Sequence, residues 1–464
     1  MNEMFDELNI SDSRSLLAGI GDAMARHRGA ILGVQWVMVA FYLCLLIYPA
    51  FLPLPMEYVH FYEDLTLFAQ FAFWGVWWPF VMVSMMLLGR VWCGVLCPEG
   101  ALSEWASRHG LGLAIPRWMR WSGWPFLAFS TTTLYGQLIS VYEYPKAALL
   151  VLGGSTVAAM AVGFVYGRGK RVWCRYLCPA NGVFAILSRL APIHLRVDRE
   201  AWREAPHRTT AVDCATLINI PNMTGNSTCH MCGRCSGHRG AVALQVRSPN
   251  REILSLRNED FSRAEALLLI FGILGIATGA FQWSASPWFV AMKQRMAEWS
   301  IENEVFELLQ DDIPWWVLTH YPETNDVFSW LDGISIVSYI TATAVIIGGM
   351  QLLMLRLSGW LLGVRDIPWR LAYGLTPLAG ISAFLGLSAL TVTLLKAERI
   401  ELMWVPELRT ALLALAVMWS GQIVWGMMKS FPKAPILYRV SAWSSMMAGA
   451  GLVVVSWIYM FYLW

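Results

Sequence analysis

Long apolar runs separated by short polar loops dominate the chain. Nine runs, roughly 30–52, 65–89, 121–141, 147–166, 264–283, 333–356, 371–395, 408–428 and 440–462, are long enough to cross about 30 Å of hydrocarbon. The run at 121–141 is rich in Ser, Thr and Gly and is the weakest. One long polar stretch, 193–262, breaks the series. Within the fifth run, Gly275-x3-Gly279 fits close helix packing. The segment Ser13–Arg28 reads as an amphipathic helix at the membrane surface, and Trp299–Leu309 as a second one. The aromatic start of the second run, with Phe71, Phe73, Trp74 and Trp77, suits either an interfacial belt or a packing face.

Composition agrees. The chain is 57% hydrophobic and 14% charged, where a soluble domain carries about a quarter charged residues. Its 25 tryptophans suit interfacial anchoring. The net charge of +2 gives no reason to expect nucleic acid.

The loops alternate in charge. Basic ones hold Arg90, Arg108, Arg117 and Arg120, then Arg168, Lys170, Arg171 and Arg175. Acidic ones hold Glu57, Glu63 and Asp64, or Glu302, Glu304, Glu307, Asp311 and Asp312. The positive-inside rule then places the N-terminus in the cytoplasm and the C-terminus outside.

The sharpest chemical signal is a repeat. Arg90-Val91-Trp92-Cys93-Gly94-Val95-Leu96-Cys97-Pro98 recurs 81 positions later as Arg171-Val172-Trp173-Cys174-Arg175-Tyr176-Leu177-Cys178-Pro179. Each copy is a C-x3-C-P element at the end of an apolar hairpin. The polar stretch adds Cys214 and the run Cys229-x2-Cys232-x2-Cys235. C-x2-C-x2-C and C-x3-C-P are the two halves of the bacterial ferredoxin ligand run. Eight thiols on one side of the membrane, in a reducing compartment, favour metal ligation over disulfides. They match the need of two [4Fe–4S] clusters, at about four thiolates each. Structural zinc is the competing reading, although zinc sites pair C-x2-C with a second C-x2-C or a His pair. By ferredoxin logic Cys229, Cys232 and Cys235 pair with Cys97 or Cys178. Cys93, Cys174, the other Cys-Pro cysteine and Cys214 then hold the second cluster. His230 or His238 could stand in for Cys214. The ninth cysteine, Cys44, lies inside the first run and reads as a small packing residue.

At these residues the chain resembles the membrane polyferredoxins of the NapH/NosR type. The resemblance rests on Cys93-Gly94-Val95-Leu96-Cys97-Pro98-Glu99-Gly100-Ala101-Leu102 and on Cys174-Arg175-Tyr176-Leu177-Cys178-Pro179, and covers about 65–245. Cys235 is followed by Ser236-Gly237-His238-Arg239-Gly240, without the fourth cysteine and proline common in the family. The resemblance implies membrane electron transfer, in a bacterial inner membrane, between cytoplasmic-side [4Fe–4S] clusters and a quinone or a periplasmic or membrane redox partner. The chain would be a subunit of a larger assembly, and a candidate quinol dehydrogenase or oxidoreductase subunit. The alternative is a metal-reducing accessory factor for a respiratory metalloenzyme.

The expected architecture is therefore an all-α polytopic membrane protein with a small cytoplasmic ferredoxin-like iron–sulfur insert. Its parts are a cytoplasmic N-terminal segment 1–28, duplicated transmembrane hairpins 29–192 and the cysteine segment 193–262. A span with a periplasmic segment, 263–331, and a four-helix membrane block, 332–464, complete it. None of the eight histidines lies inside a run, which disfavours a transmembrane haem. A quinone site would find His60, Tyr58 and carboxylates in the loop Glu57–Asp64, although an ordinary acidic loop has the same composition. The acidic segment around His320 could dock a basic redox protein.

Overall fold

The computed structural model describes residues 10–55, 59–205, 212–256, 261–364, 368–431 and 434–464. Glu57 and Tyr58 of the proposed quinone loop lie outside the described residues. Among the described residues, eight helices are long and apolar enough to cross a membrane. They are Arg28–Phe51, Leu65–Leu88, Pro145–Tyr166, Arg263–Ala285, Trp330–Leu361, Trp369–Ala397, Val405–Met428 and Ile436–Leu463. The chain is thus a multi-pass, mainly helical membrane protein. The weak run at 121–141 forms a helix of only 15 residues, Trp124–Leu138. At about 1.5 Å per residue it falls short of the hydrocarbon thickness. Ser140, with φ of 49°, turns the chain just beyond it.

Two compact units divide the chain. One comprises Met1–Cys44, Val81–Trp124 and Ser155–Leu256; the other comprises Leu45–Phe80, Pro125–Gly154 and Arg257–Trp464.

In the first unit, helix α1 (Ile10–Arg26) packs on the strand β2 (Val242–Val246) of an antiparallel pair with β1 (Ile193–Val197). The close approach falls at Gly21, where a Cβ would lie 2.6 Å from Ser236 Oγ and 3.1 Å from Leu244 Cβ. The amphipathic segment therefore covers the hairpin instead of lying free on a membrane surface. Leu195, Ile220, Met231, Val242 and Leu244 form the core beneath it, with Cys229 and Cys235 among them. This is a small core, of the kind that metal ligation commonly organises. Helix α2 (Pro98–Arg108) buries Ala101 and Leu102 against Val39 of the first span. Its Ser103 Oγ donates to the carbonyl of Ala159 at 3.0 Å.

The second unit is a bundle of apolar helices. Gly275 and Gly279 let Arg263–Ala285 approach Trp330–Leu361 closely. A Cβ on Gly275 would lie 2.8 Å from Ala344 Cα, and one on Gly279 would lie 3.1 Å from Ile340 Cα. Phe73 and Trp74 are buried, and Trp74 meets Tyr142 edge-on at 4.6 Å, so the aromatic stretch here is a packing face. The amphipathic helix expected at 299–309 forms earlier, at Pro287–Glu302. Ser286 caps it by accepting from the Phe289 N–H, Pro287 opens it, and Glu304 at φ 60° turns the chain after it.

Candidate metal centre

The two C-x3-C-P copies fold alike. Each follows a glycine in the left-handed region, Gly89 (φ 66°) or Gly169 (φ 65°). In the first copy the Cys97 N–H donates to the Trp92 carbonyl at 2.8 Å; in the second, Cys178 donates to Trp173 at 3.0 Å. Cys97 then caps α2. Its sulfur accepts from the Gly100 N–H at 3.4 Å, and Pro98 occupies the first helical position, where no N–H is needed. The second copy leads into α3 (Asn181–Leu187), which starts two residues later in the repeat, after Ala180, without a side-chain cap.

Each copy's arginine crosses to the other copy. Arg90 donates through Nη2 to Asn181 Oδ1 at 2.7 Å, at the start of α3, and through Nη1 to the Ser227 carbonyl at 2.8 Å. Arg171 donates through Nε to Glu104 Oε2 at 2.9 Å and through Nη1 to the Cys93 carbonyl at 2.5 Å. A Cβ on Gly100, the counterpart of Asn181 in the first copy, would lie 3.2 Å from Arg171 Nη1. Arg90 is 2% exposed and Arg171 1%. The sequence counts both as loop charges; the structure buries them. The available signal was their place at the head of both repeats.

Glu104 is also buried, and Arg234 and Arg108 pair with it as well. Burial alone would raise its carboxyl, but Arg171 and Arg234 outweigh that and hold it at about 2. Glu99, beside the first motif, is pushed up by burial although Ser155 donates to it.

The raised thiols have two different sets of charged neighbours. Burial, and after it the charges of Cys174 and Cys93, push the Cys97 thiol well up. Cys178 is raised by burial, Glu99, and then Cys174, Cys97 and Cys93. Cys174 rises to about 12, by burial first, with Cys93 among its neighbours. Cys229 rises through burial and then Cys235, Cys232 and Cys214. Cys235 rises to about 12 through burial, Cys232 and Cys214. The electrostatic neighbours are therefore Cys93, Cys97, Cys174 and Cys178 on one side, and Cys214, Cys229, Cys232 and Cys235 on the other. This differs from the pairing that ferredoxin logic suggests. Cys214 stands among the neighbours of Cys229 and Cys235, and the cysteines of the two duplicated motifs stand among one another's.

The groups adjoin at Gly94. A Cβ there would lie 2.1 Å from the His230 carbonyl oxygen and 2.8 Å from the Cys232 nitrogen. Only glycine lets the run pass so close behind Cys93. Met231 (φ 51°) and Gly233 (φ 72°) place left-handed turns inside the run. Such turns aim successive N–H groups into an anion-binding concavity, as at many iron–sulfur sites. One of them, the Met231 N–H, donates to Cys229 Sγ at 3.4 Å.

A cubane fits these residues. Arg171 Nη2, Arg90 Nε and His230 Nδ1 are buried and make no hydrogen bond among the described residues. They leave buried polar atoms unused beside the thiols, although Arg171 also pairs with Glu104 through Nε. Thiols raised by burial stay protonated at neutral pH, and metal binding releases those protons. Among the described residues no three His, Cys, Asp or Glu side chains converge as around one ion. Four irons, each taking one thiolate, spread their ligands further apart than a single zinc would.

The other candidates lie elsewhere. His230 is 3% exposed, and burial with Arg90, Arg171 and Arg175 holds it well below the usual imidazole range. His238 packs against Trp202 at 5.3 Å. Cys44 faces outward on the first span and does not fill a packing site. His60 bonds through Nδ1 to Glu398 Oε2 at 2.5 Å and stacks on Tyr62. His320 pairs with Val327 in a two-residue ladder.

The chain matches the 4Fe-4S binding domain family over 70–121 and 150–198. Those ranges take in both C-x3-C-P copies and stop short of Cys214. It is 24% identical over 237 residues to YccM of Escherichia coli (strain K12), a proposed electron transport protein, covering 44% of this chain and 65% of that one. It is 27% identical over 182 residues to the regulatory protein NosR of Pseudomonas aeruginosa, covering 34% of this chain and 25% of that one. The chain thus spans under two thirds of the first relative and a quarter of the second. No solved structure matches it significantly. The chain is thus similar, over part of its length, to an electron transport protein and to NosR, and carries a match to the 4Fe-4S binding domain family around its two C-x3-C-P motifs.

Proposed function

We propose that the chain is a membrane electron-transfer protein with two [4Fe–4S] clusters. Cys93, Cys97, Cys174 and Cys178 hold one; Cys214, Cys229, Cys232 and Cys235 hold the other. What supports this is that all eight cysteines lie in one compact unit, where Cys97 and Cys178 neighbour Cys93 and Cys174 while Cys229 neighbours Cys235, Cys232 and Cys214.

When bound, each cluster supplies a one-electron carrier. Around it the protein has definite tasks. The thiolates anchor the iron. Buried Arg171 and Arg90 balance the negative charge of thiolate-ligated iron and tie the two motifs together. Gly94 admits the close approach of the two groups, which electron exchange between them requires. The buried surroundings keep water from the site.

The electrons pass between this site and a quinone or a periplasmic or membrane redox partner, with the chain as one subunit of a larger assembly. The basic loops argue for a cytoplasmic site and N-terminus; a C-terminus outside further requires Trp124–Leu138 to serve as a ninth crossing, because eight crossings return the chain to its starting side. A reporter fused after Trp464 tests that orientation: activity confined to the cytoplasm contradicts it. The organisation in this reading is a cytoplasmic segment 1–28, duplicated hairpins 29–192, a cysteine segment 193–262, a span with an outer segment 263–331, and a membrane block 332–464.

The test is optical and kinetic. Ferredoxin-type cubanes absorb near about 400 nm and bleach with dithionite, and zinc does neither. Quinol should bleach the same band in membranes, and Cys97→Ser and Cys178→Ser should abolish that bleaching. Variants that retain full electron transfer overturn the relay. The similarity to a regulatory protein leaves room for a second reading, an accessory role, which we take in the form of a metal-reducing factor. Copper-dependent oxidation of the reduced protein, without a quinol reaction, would select it.

A further inference from the structure

We propose that the first unit also carries an oxyanion site, built for the phosphate headgroup of an anionic phospholipid. A cavity of about 350 Å³ lies between Arg28, Arg108 and Arg234, with Ile31, Leu32 and Cys232 in its wall. Its size falls in the range of small-molecule sites.

The charge balance calls for an anion. Arg108, Arg171 and Arg234 share one carboxylate, Glu104. The Arg28 side chain makes no ion pair or hydrogen bond among the described residues. Positive charge therefore exceeds negative charge around the cavity. Arg234 Nη1 is buried there and donates to nothing among the described residues. Guanidinium forks match phosphate oxygens in pairs, so three arginines around one space suit a phosphodiester better than an isolated carbonyl.

The source of the phosphate follows from position. Arg28 is the first residue of the membrane span Arg28–Phe51. Ile31 and Leu32 follow within its first turns. Val34 and Val37 on the same helix are 44% and 68% exposed, an apolar surface for acyl chains. Basic pockets at the membrane ends of helices bind anionic headgroups in this way. A headgroup seated here would cover Cys232 and keep solvent from the second thiol group.

The site does not depend on bound iron, so its test and the cluster test separate. Delipidated full-length protein is titrated in native mass spectrometry with phosphatidylglycerol, phosphatidylcholine and inorganic phosphate. Iron content is read from the same samples. Phosphatidylglycerol should be retained in preference to phosphatidylcholine. Arg28→Gln and Arg108→Gln should each weaken it about fivefold, the effect of one basic residue at an anionic surface. Arg28→Lys should keep most of it, and iron content should not change. Equal retention of the two lipids, or unchanged affinity in both Gln variants, overturns the proposal. Tight binding of inorganic phosphate with no lipid preference overturns the lipid source. Wild-type protein without iron would instead overturn the electron-transfer reading and leave this result to stand by itself.

Discussion

Arg171 of the second motif donates its Nε–H to Glu104, behind the first motif, at 2.9 Å, with both side chains almost wholly buried. Arg90 makes the reciprocal crossing to Asn181. The duplicated sequence is therefore also a duplicated lock, in which each motif is held by the other's arginine.

Glu104→Gln should destabilise the protein by roughly 3–5 kcal/mol, because it leaves buried arginines without their common acid. Arg171→Met should also destabilise it. The double variant should lose much less than the two single losses combined, since it removes the pair together. Thermal unfolding in detergent measures all three; strict additivity would dissolve the proposed lock.

The same carboxyl gives a pH signature. Its folded value, about 2, lies below the ordinary 4.5. A depressed carboxyl contributes stability that is complete above its unfolded value and lost as pH falls through the folded one. The stability gap between wild type and Glu104→Gln should therefore be constant from pH 8 to about 5 and close between about 4.5 and 2. A gap that narrows on the alkaline side of neutrality would contradict this. Comparison with the variant cancels the acid lability of any bound iron.

Gly94→Ala should lower thermal stability by roughly 2–4 kcal/mol, because its Cβ meets fixed backbone at His230 and Cys232. Gly154→Ala, where a Cβ meets nothing within 4 Å, serves as the control and should be neutral or mildly stabilising. Equal behaviour of the two variants would mean that the thiol groups do not approach at Gly94.

In the second unit, Gly275→Val should loosen the packing of Arg263–Ala285 on Trp330–Leu361, since even a Cβ lies 2.8 Å from Ala344 Cα. Lower thermal stability in detergent is the expected outcome. An unchanged melting curve would mean that the close approach contributes nothing.

Much of the site can be read from local spacing. The repeated R-V-W-C-x3-C-P and the C-x2-C-x2-C run need no tertiary information, because ligand spacing is a local property. The spans are legible for the same reason, since hydrocarbon thickness fixes a run length. Two things were not legible. The partner of Cys229, Cys232 and Cys235 depends on how 193–262 folds beneath α1 and the β1–β2 pair, and nothing near Cys214 marks it. Arg90 and Arg171 look like ordinary loop charges, because counting positive residues assumes that they are solvated. Their burial arises from contacts between motifs 81 positions apart. The helix at Pro287–Glu302 is a milder case, in which the Ser286-Pro287 start signal precedes the segment whose charge pattern drew attention.

Iron and acid-labile sulfide, counted per chain in anaerobic preparations of the wild type, Cys178→Ser and Cys229→Ser, test the central claim most directly. About eight of each in the wild type, and about four of each remaining in either variant, is the result expected for two clusters on separate thiol groups. About four irons in the wild type, or zinc in place of iron, would contradict it.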